Sequence, residues 1–457
     1  MLLRFRVANH RSIREEQELS LVAVPKRGEP KPKGDALPPT VRVAGIYGAN
    51  ASGKSNVLDA LRWMQRAVSD SHTRWRPEGG FPRRPFRLDD TSRSSPSFYE
   101  VDFVHRGERH TYGFEVTDDE VTGEWLFAYP NGRARRLFER SGHGKEDYRF
   151  GRSLTGEVRR IQRLTRANAL YLSTAASNDH PTLLRVYRSL TQGMTYAAHD
   201  FDDERHRLRV IKILLQEKNL PALVDHLVRV ADLGISRVTL ERTPIPDEDF
   251  EQISRAIKAF ETDSGTAESL LSDTRKDLET RLTLSHSADG RPRKLDLDEE
   301  SDGTRVWLSL AGQMLHTIIT GGVFLVDEID SSLHPMLSST LIRIFKDPET
   351  NPKQAQLVFA SHDTTLLGSM LESDLLRRDE VWFTEKDRSG ATALYSLADF
   401  HPRGAENTER GYLQGRYGAV PFVDFDDIRS MFIDLHRGAD DPSPEGEEGS
   451  LPAQAAP

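Results

Sequence analysis

Eight residues, Gly48-Ala49-Asn50-Ala51-Ser52-Gly53-Lys54-Ser55, set glycines, a lysine and a hydroxyl in the spacing G-x-x-x-x-G-K-S. Glycines permit torsions that turn successive N–H groups toward one point, which suits the oxygens of a phosphate. A lysine so placed bridges β- and γ-phosphates, and the Ser55 hydroxyl ligates Mg²⁺. The apolar run VRVAGIY (41–47) precedes this loop. NVLDALRWMQRAV (56–68) follows it, with Val57, Leu58, Leu61, Met64 and Val68 at helical spacing. Strand, glycine loop and helix in that order are the context a phosphate cradle needs, and the helix adds its positive dipole end. ATP with Mg²⁺ is the expected ligand, held by Gly48, Asn50, Ala51, Ser52, Gly53, Lys54, Ser55 and Asn56.

A second group of chemistry-bearing residues lies far downstream. VFLVDE (323–328) is an apolar strand ending in Asp327 and Glu328. Burying the strand leaves both carboxylates at its C-terminal end, where α/β sheets bind ligands. Asp327 is expected to hold Mg²⁺ through water, and Glu328 to polarise the attacking water as general base. Shortly upstream, Glu300-Ser301-Asp302-Gly303-Thr304 opens a helix. Ser301 suits a helix cap, Gly303 permits close backbone approach, and a helix N-terminus faces anions well. Asp330-Ser331-Ser332-Leu333-His334-Pro335 follows Glu328 directly, and Ser361-His362-Asp363 ends the next strand. A histidine at that edge reaches a γ-phosphate.

Both halves of the chain must therefore meet in one sheet. Residues 2–7 and 19–24 read as short strands around a polar turn, and 25–39 as a Pro/Gly/Lys-rich loop. FYEVDFV, HTYGFEV and WLFAYP within 97–150 alternate as antiparallel strands do. From about 156 to 285 the pattern is mostly helical without a sustained heptad, which predicts a compact helical insertion rather than a coiled-coil arm. The helix TRVWLSLAGQMLHTII and the strands VFLVDE, AQLVFASH (355–362) and EVWFTEKD (380–387) then restore the nucleotide-binding pattern. The expected class is α/β: a P-loop core of mixed sheet with flanking helices, an antiparallel β subdomain and a helical insertion. The expected divisions are 1–155 (first half of the core with the β subdomain), 156–290 (insertion or lid), 291–437 (second half of the core) and a disordered tail, 438–457.

The 457 residues include 37% hydrophobic and 29% charged ones, as in a folded globular chain. Mean hydropathy is -0.57, and no apolar run approaches the ~20 residues of a membrane span. The opening MLLRFRVANHRSI alternates charge with apolar residues and lacks a signal-peptide core. A cytoplasmic location is the expectation. The absence of cysteine excludes disulfides and thiolate zinc sites. A net charge of -9 argues against a polycation that wraps nucleic acid, although arginines are dense over 74–93 and 133–166.

The order of glycine loop, long insertion, ESDGT, VFLVDEIDSSLHP and LVFASHD resembles the ATP-binding-cassette ATPases of the RecF, SMC and OLD group. The opening FRVANHRSI resembles that group's N-terminal strand pair. YGANASGKSN, YGFEV and GRYGAVPF are most similar to stand-alone bacterial AAA-family ATPases of anti-phage and abortive-infection systems, of the AriA (PARIS) and RloA/AbiL type. The likeness spans about residues 1–435 and is weak through 160–285. It implies that Ser301 and Gly303 form a signature loop contacting the γ-phosphate held by a partner subunit. It likewise implies that Asp330 is the D-loop aspartate at the dimer seam, that His362 senses the γ-phosphate, and that Arg11 and Ser12 lie near the ribose and α-phosphate. The loop reads ESDGT where transporters have LSGGQ, and no Q-loop glutamine is placed.

The resemblance thus implies ATP hydrolysis in a homodimer or higher homo-oligomer that ATP closes and hydrolysis releases. The leading expectation is a defence ATPase, a sensor or scaffold controlling a separate effector such as a Toprim-like or RloB-like nuclease. It rests on the reading that no acidic D-x-D cluster of Toprim type follows His362. A RecF-like DNA-repair or DNA-clamping ATPase, using the two arginine-rich stretches on DNA phosphates, is the alternative. A non-hydrolysing nucleotide-dependent binding module is the third, and membrane transport is least expected.

Overall fold

The chain opens with two paired strands, β1 (Leu2–Ala8) and β2 (Gln17–Ser20), ahead of β3 (Val43–Gly48). Helix α1 (Lys54–Asp70) starts on the glycine loop, and the short α2 (Asp90–Ser94) leads into β4 (Ser97–His105), β5 (Glu108–Val116), β6 (Val121–Ala128), β7 (Arg135–Arg140) and β8 (Tyr148–Phe150). Three helices follow, α3 (Val158–Leu164), α4 (Tyr171–Ser177) and α5 (Pro181–Gln192), then β9 (Met194–Ala197). Next come α6 (Phe201–Leu214), α7 (Pro221–Val230), β10 (Ile235–Arg242), α8 (Asp247–Phe260), β11 (Thr280–Ala288) and β12 (Arg291–Asp296). The chain returns through α9 (Asp302–Thr320), β13 (Val323–Val326), α10 (Pro335–Lys346), β14 (Gln356–Ala360), β15 (Val381–Lys386), β16 (Thr392–Ser396) and α11 (Thr408–Leu413). This computed structural model describes residues 1–439 apart from 26–36, 198–200, 232–233, 261–270, 273, 277, 289–290, 372–374, 401–406 and 422–424. From residue 440 the expected disordered tail lies outside the described residues.

One sheet has the order β16-β15-β3-β14-β13-β9, parallel throughout except for β16. β14 therefore lies between the strand feeding the glycine loop and the strand ending in Asp327. Strand geometry explains how one sequence serves two cores, because successive side chains point to opposite faces. Ala44 and Ile46 of β3 join a cluster with α1 and the antiparallel sheet β2-β1-β4-β5-β6-β7-β8. Val43 and Tyr47 join a different cluster with α9, α10 and the β15–α11 region. Helix α1 carries no internal Gly or Pro and buries Val57, Leu58, Leu61, Trp63, Met64 and Val68. Each large apolar side chain so buried contributes about 1.5–3 kcal/mol. Trp63 stacks on Tyr99 at 4.5 Å, tying the helix to β4.

The stretch read as a helical insertion is not purely helical. β9 pairs in parallel with β13 and extends the six-stranded sheet, while β10, β11 and β12 form a separate three-stranded sheet. Ile235, Val238, Leu282 and Leu284 of that sheet pack with α6, α7 and with Leu308 and Leu315 of α9. Local pattern hides these strands: MTYA is four residues long, and its pairing partner lies more than a hundred residues away. β2 also ends at Ser20, before the expected 19–24 span is complete, and Val22 makes only an isolated bridge to Thr40.

Several arginines of the two dense stretches pin the backbone together. Arg83 donates to Asp118 at 2.6 Å and to the carbonyls of Ser95 and Arg93. Arg166 donates to the carbonyls of Ser71, His72 and Trp75. Arg140 is fully buried beside Glu124. These three are thus engaged within the fold.

A second compact unit, Pro421–Pro457, contains one described helix, α12 (Phe425–Ala439), which exposes Phe425, Met431 and Phe432. The reading that no acidic D-x-D cluster of Toprim type follows His362 needs correction in one respect: Asp424-Phe425-Asp426 has the D-x-D spacing. Asp426 and Asp427 open helix α12, and Asp424 lies outside the described residues. No helix among the described residues is long and apolar enough to cross a membrane.

Candidate functional site

The glycine loop folds by using the torsions its residues permit. Gly48 has φ 156° and Gly53 has φ 113°, and a Cβ on either would collide with Thr384 or Thr392 respectively. Those two threonines hold the loop from behind. Ser52 Oγ lies 2.6 Å from Thr384 Oγ1, and Thr392 Oγ1 donates to the Ser52 carbonyl at 2.8 Å. Ser12 completes a chain of hydroxyls, 2.7 Å from Thr392 Oγ1 and accepting from Asn56 Nδ2 at 2.6 Å. Gly53 caps α1, so the first N–H groups of this helix, which no helix satisfies internally, open onto the loop.

Lys54 is buried, and its Nζ donates to the carbonyls of Gly48 at 2.8 Å and Ala49 at 3.1 Å. Burial lowers its pKa from the ordinary lysine value, against the opposing pull of Asp327, Asp330 and Glu328. These three carboxylates therefore act electrostatically on the same ammonium, although they come from a segment more than 270 residues away. Ser55 Oγ donates to Asp327 Oδ1 at 3.0 Å. A hydroxyl and a carboxylate thus meet at the edge of the loop, the oxygen donor set that Mg²⁺ prefers.

The strand order explains the rest of the convergence. The Ile329 N–H donates to the Ala360 carbonyl, and the Ser361 N–H to that of Ile46, so the ends of β13, β14 and β3 are laced side by side. His362 Nε2 lies 3.1 Å from Asp330 Oδ2. Asp330 Oδ1, Asp363 Oδ2 and Tyr47 Oη are buried without a hydrogen-bond partner among the described residues. Burial, then Asp363 and Asp330, drive the Tyr47 phenol well above its usual pKa. Buried polar atoms without a protein partner are uncommon, and the influence of Asp330 and Asp363 on Tyr47 puts these three close together.

Ser301 caps α9, accepting from the Thr304 N–H at 3.2 Å. A Cβ on Gly303 would lie 3.0 Å from the Ser332 carbonyl oxygen. The ESDGT turn therefore abuts the 330–333 loop of its own chain. Glu328 and Ser332 both adopt positive φ, 52° and 59°, as do Arg11 at 50° and Ala51 at 61°. Non-glycine residues in this region cost roughly 1–2 kcal/mol each, and such strain gathers at functional sites.

Arg11 is placed by a relay that the sequence did not reveal. Tyr99 Oη lies 2.8 Å from His10 Nδ1, His10 Nε2 3.0 Å from Asp59 Oδ2, and Arg11 Nε 2.5 Å from the same oxygen. Burial lowers the His10 pKa despite Asp59. Burial alone would raise that of Asp59, but the His10 hydrogen bond and the charges of His10, Arg11 and Arg84 bring it below the usual carboxylate range. Arg11 lines a cavity of about 650 Å³ together with Ser55, Asp327, Arg62, Arg66 and Arg84. Ser55, Asp59, Arg62 and Arg66 recur at intervals of four, three and four along α1, one helix face. That spacing was the available signal for this basic wall. Thr384 and Thr392 carried none, because only β-pairing brings them under the loop. Arg62 lies 4.3 Å from the centre of the Tyr196 ring on β9.

The family described as "AAA domain, putative AbiEii toxin, Type IV TA system" matches residues 43–368. The SMC head domain from Thermotoga maritima is 14% identical, with a TM-score of 0.39 over 86% of this chain and 98% of that one. The Smc head domain from Pyrococcus furiosus, with an extended coiled coil and bound to the C-terminal domain of ScpA, is 12% identical. Its TM-score is 0.37 over 86% of this chain and 96% of that one. No curated protein matches the sequence.

Proposed function

The chain belongs to this AAA-domain family, and from that premise we propose that it is an ATP-hydrolysing switch of ATP-binding-cassette type. In this reading two copies close head to tail around two nucleotides, and the nucleotide state governs a separate effector. One observation carries the hydrolytic part: Lys54, Ser55, Asp327, Glu328, Asp330 and His362 converge at the carboxyl edge of one parallel sheet.

In the working site Lys54 leaves the carbonyls of Gly48 and Ala49 and pairs with the β- and γ-phosphates of ATP. The backbone of Gly48, Asn50, Ala51, Ser52 and Gly53 and the start of α1 cradle the phosphates, with Ser55 and Asn56 at their edge. Ser55 and Asp327 would hold Mg²⁺, which supplies charge neutralisation on the phosphate oxygens. Glu328 orients and deprotonates the attacking water. His362, fixed by Asp330, reads the presence of the γ-phosphate. Arg11, held by Asp59, presents a guanidinium to the phosphate side of the same cavity. Ser301 and Gly303 serve the partner's nucleotide, which makes each site incomplete in one copy and ATP the link across the seam.

A dimer closed in this way would act as a two-state switch, because the γ-phosphate would be contacted differently in closed and open forms. We assign the effector to another chain, a Toprim-like or RloB-like nuclease in a cytoplasmic anti-phage system. Because this chain does carry the triplet Asp424-Phe425-Asp426, whether the pure protein cuts nucleic acid decides that assignment. Purified protein should release phosphate from ATP with Mg²⁺, fall to background release with EDTA, and leave DNA and RNA intact. No phosphate release would sink the hydrolytic reading, metal-independent release would sink the Mg²⁺ role of Ser55 and Asp327, and nucleic-acid degradation by the pure chain would sink the separate effector.

A further inference from the structure

A second cavity, of about 720 Å³, opens at the other end of the parallel sheet, where β9 and β13 begin at Met194 and Val323. Strand β13 rises roughly 3.3 Å per residue, which puts this opening on the order of 13 Å from Asp327. Val101, Phe103 and Leu190 form an apolar wall. Around it stand Arg106, Arg185 and Arg188, together with His105 and His316.

Charge is the informative property here. Among the described residues no carboxylate lines the cavity, and their ion pairs include none from these three arginines. Helices α5 and α9 end at the cavity, and each C-terminus carries about half a negative charge. Together they offset only one guanidinium, so a surplus of about two positive charges remains from the arginines, to which the Met1 ammonium, its pKa lowered by burial, adds when protonated. Burial, then His110, Arg106 and Arg185, lower the His105 pKa, and burial lowers that of His316. The histidines thus contribute hydrogen-bonding groups and the arginines the charge. His105 Nδ1 lies 2.5 Å from Ser189 Oγ, which leaves Nε2 buried and without a partner among the described residues.

The geometry points to a binding site for a small phosphate ester, separate from the glycine loop. Guanidinium forks match phosphate oxygens in pairs. A phosphate monoester carries about -1.5 to -2 charges at neutral pH, close to the surplus. The apolar wall and the volume suit an organic body larger than inorganic phosphate, within the ~300–1,000 Å³ typical of small-molecule sites. The site lies at the root of the strand that ends in Asp327, so its occupant sits where that strand is anchored.

Calorimetric titration of full-length Lys54→Ala protein with AMP, and separately with ribose 5-phosphate, tests the site without the glycine loop. At least one probe should bind saturably at one site per chain. Substituting Arg185→Ala and Arg188→Ala together should weaken it about tenfold or more. Both arginines are exposed, so the melting temperature of the double variant should not change. No saturable binding of either probe at millimolar concentration overturns the inference, as does equal affinity in the arginine variant.

Discussion

Glu328→Gln should lower ATP turnover by about two to four orders of magnitude while leaving nucleotide binding intact, because the amide keeps the shape but cannot take a proton. The backbone gives no reason for any other effect. Glu328 is exposed at the end of β13, and its positive φ of 52° is fixed by main-chain geometry, with the Ser331 N–H donating to its carbonyl at 2.9 Å. In the proposed site the phosphates are held by the glycine loop after β3, which the substitution leaves untouched. With hydrolysis blocked, ATP-bound protein should accumulate as a dimer, seen as a doubled mass by light scattering alongside the phosphate-release assay. Unchanged measurable turnover would move the base to another residue, whereas no turnover in either protein would leave the chain as a nucleotide-dependent binding module.

Arg140→Ala should cost about 3–5 kcal/mol of stability, because it leaves the Glu124 carboxylate buried and uncompensated. Both side chains are fully buried, 3.6 Å apart. Glu124 accepts from the N–H groups of Tyr171 at 2.6 Å and Leu172 at 3.0 Å and from Tyr112 Oη at 3.1 Å. Even so, burial holds its pKa above the ordinary carboxylate value. Arg140 in turn donates to the carbonyls of Gly142 at 2.6 Å and Ala169 at 2.7 Å. The pair therefore fastens β6 and β7 to the start of α4. The urea midpoint should fall sharply in Arg140→Ala and much less in the paired replacement Arg140→Met with Glu124→Gln, which removes both charges. A loss below about 1 kcal/mol in the single variant would contradict this account of the pair.

The features legible in the sequence were those written in local pattern. Strand β3, the glycine loop and α1 declared themselves by order and spacing, and the apolar run before Asp327 declared a buried strand end. Ser301 announced a cap by residue type alone. What stayed hidden depended on distant partners. β9 is a strand because β13 lies beside it. Thr392 matters because the β15–β16 hairpin slides under Ser52. Arg83, Arg140 and Arg166 looked like surface charge available to DNA, yet their guanidiniums are spent on backbone carbonyls and carboxylates of their own chain, which no composition count distinguishes. The relay from Tyr99 through His10 and Asp59 to Arg11 joins β4, the first turn and α1, so no single window of sequence contained it.

Mixing two inactive proteins tests the shared-site dimer most directly. Lys54→Ala removes the phosphate lysine from one side of the seam, and Ser301→Arg blocks the capping turn from the other. In a two-fold sandwich, a mixed dimer concentrates both lesions in one site and leaves its second site whole. Combining the two dead variants in equal amounts should then restore up to about a quarter of wild-type turnover, since half the dimers are mixed and each has one intact site. No recovery from a mixture shown to exchange subunits would mean that Lys54 and Ser301 of different copies do not serve the same nucleotide.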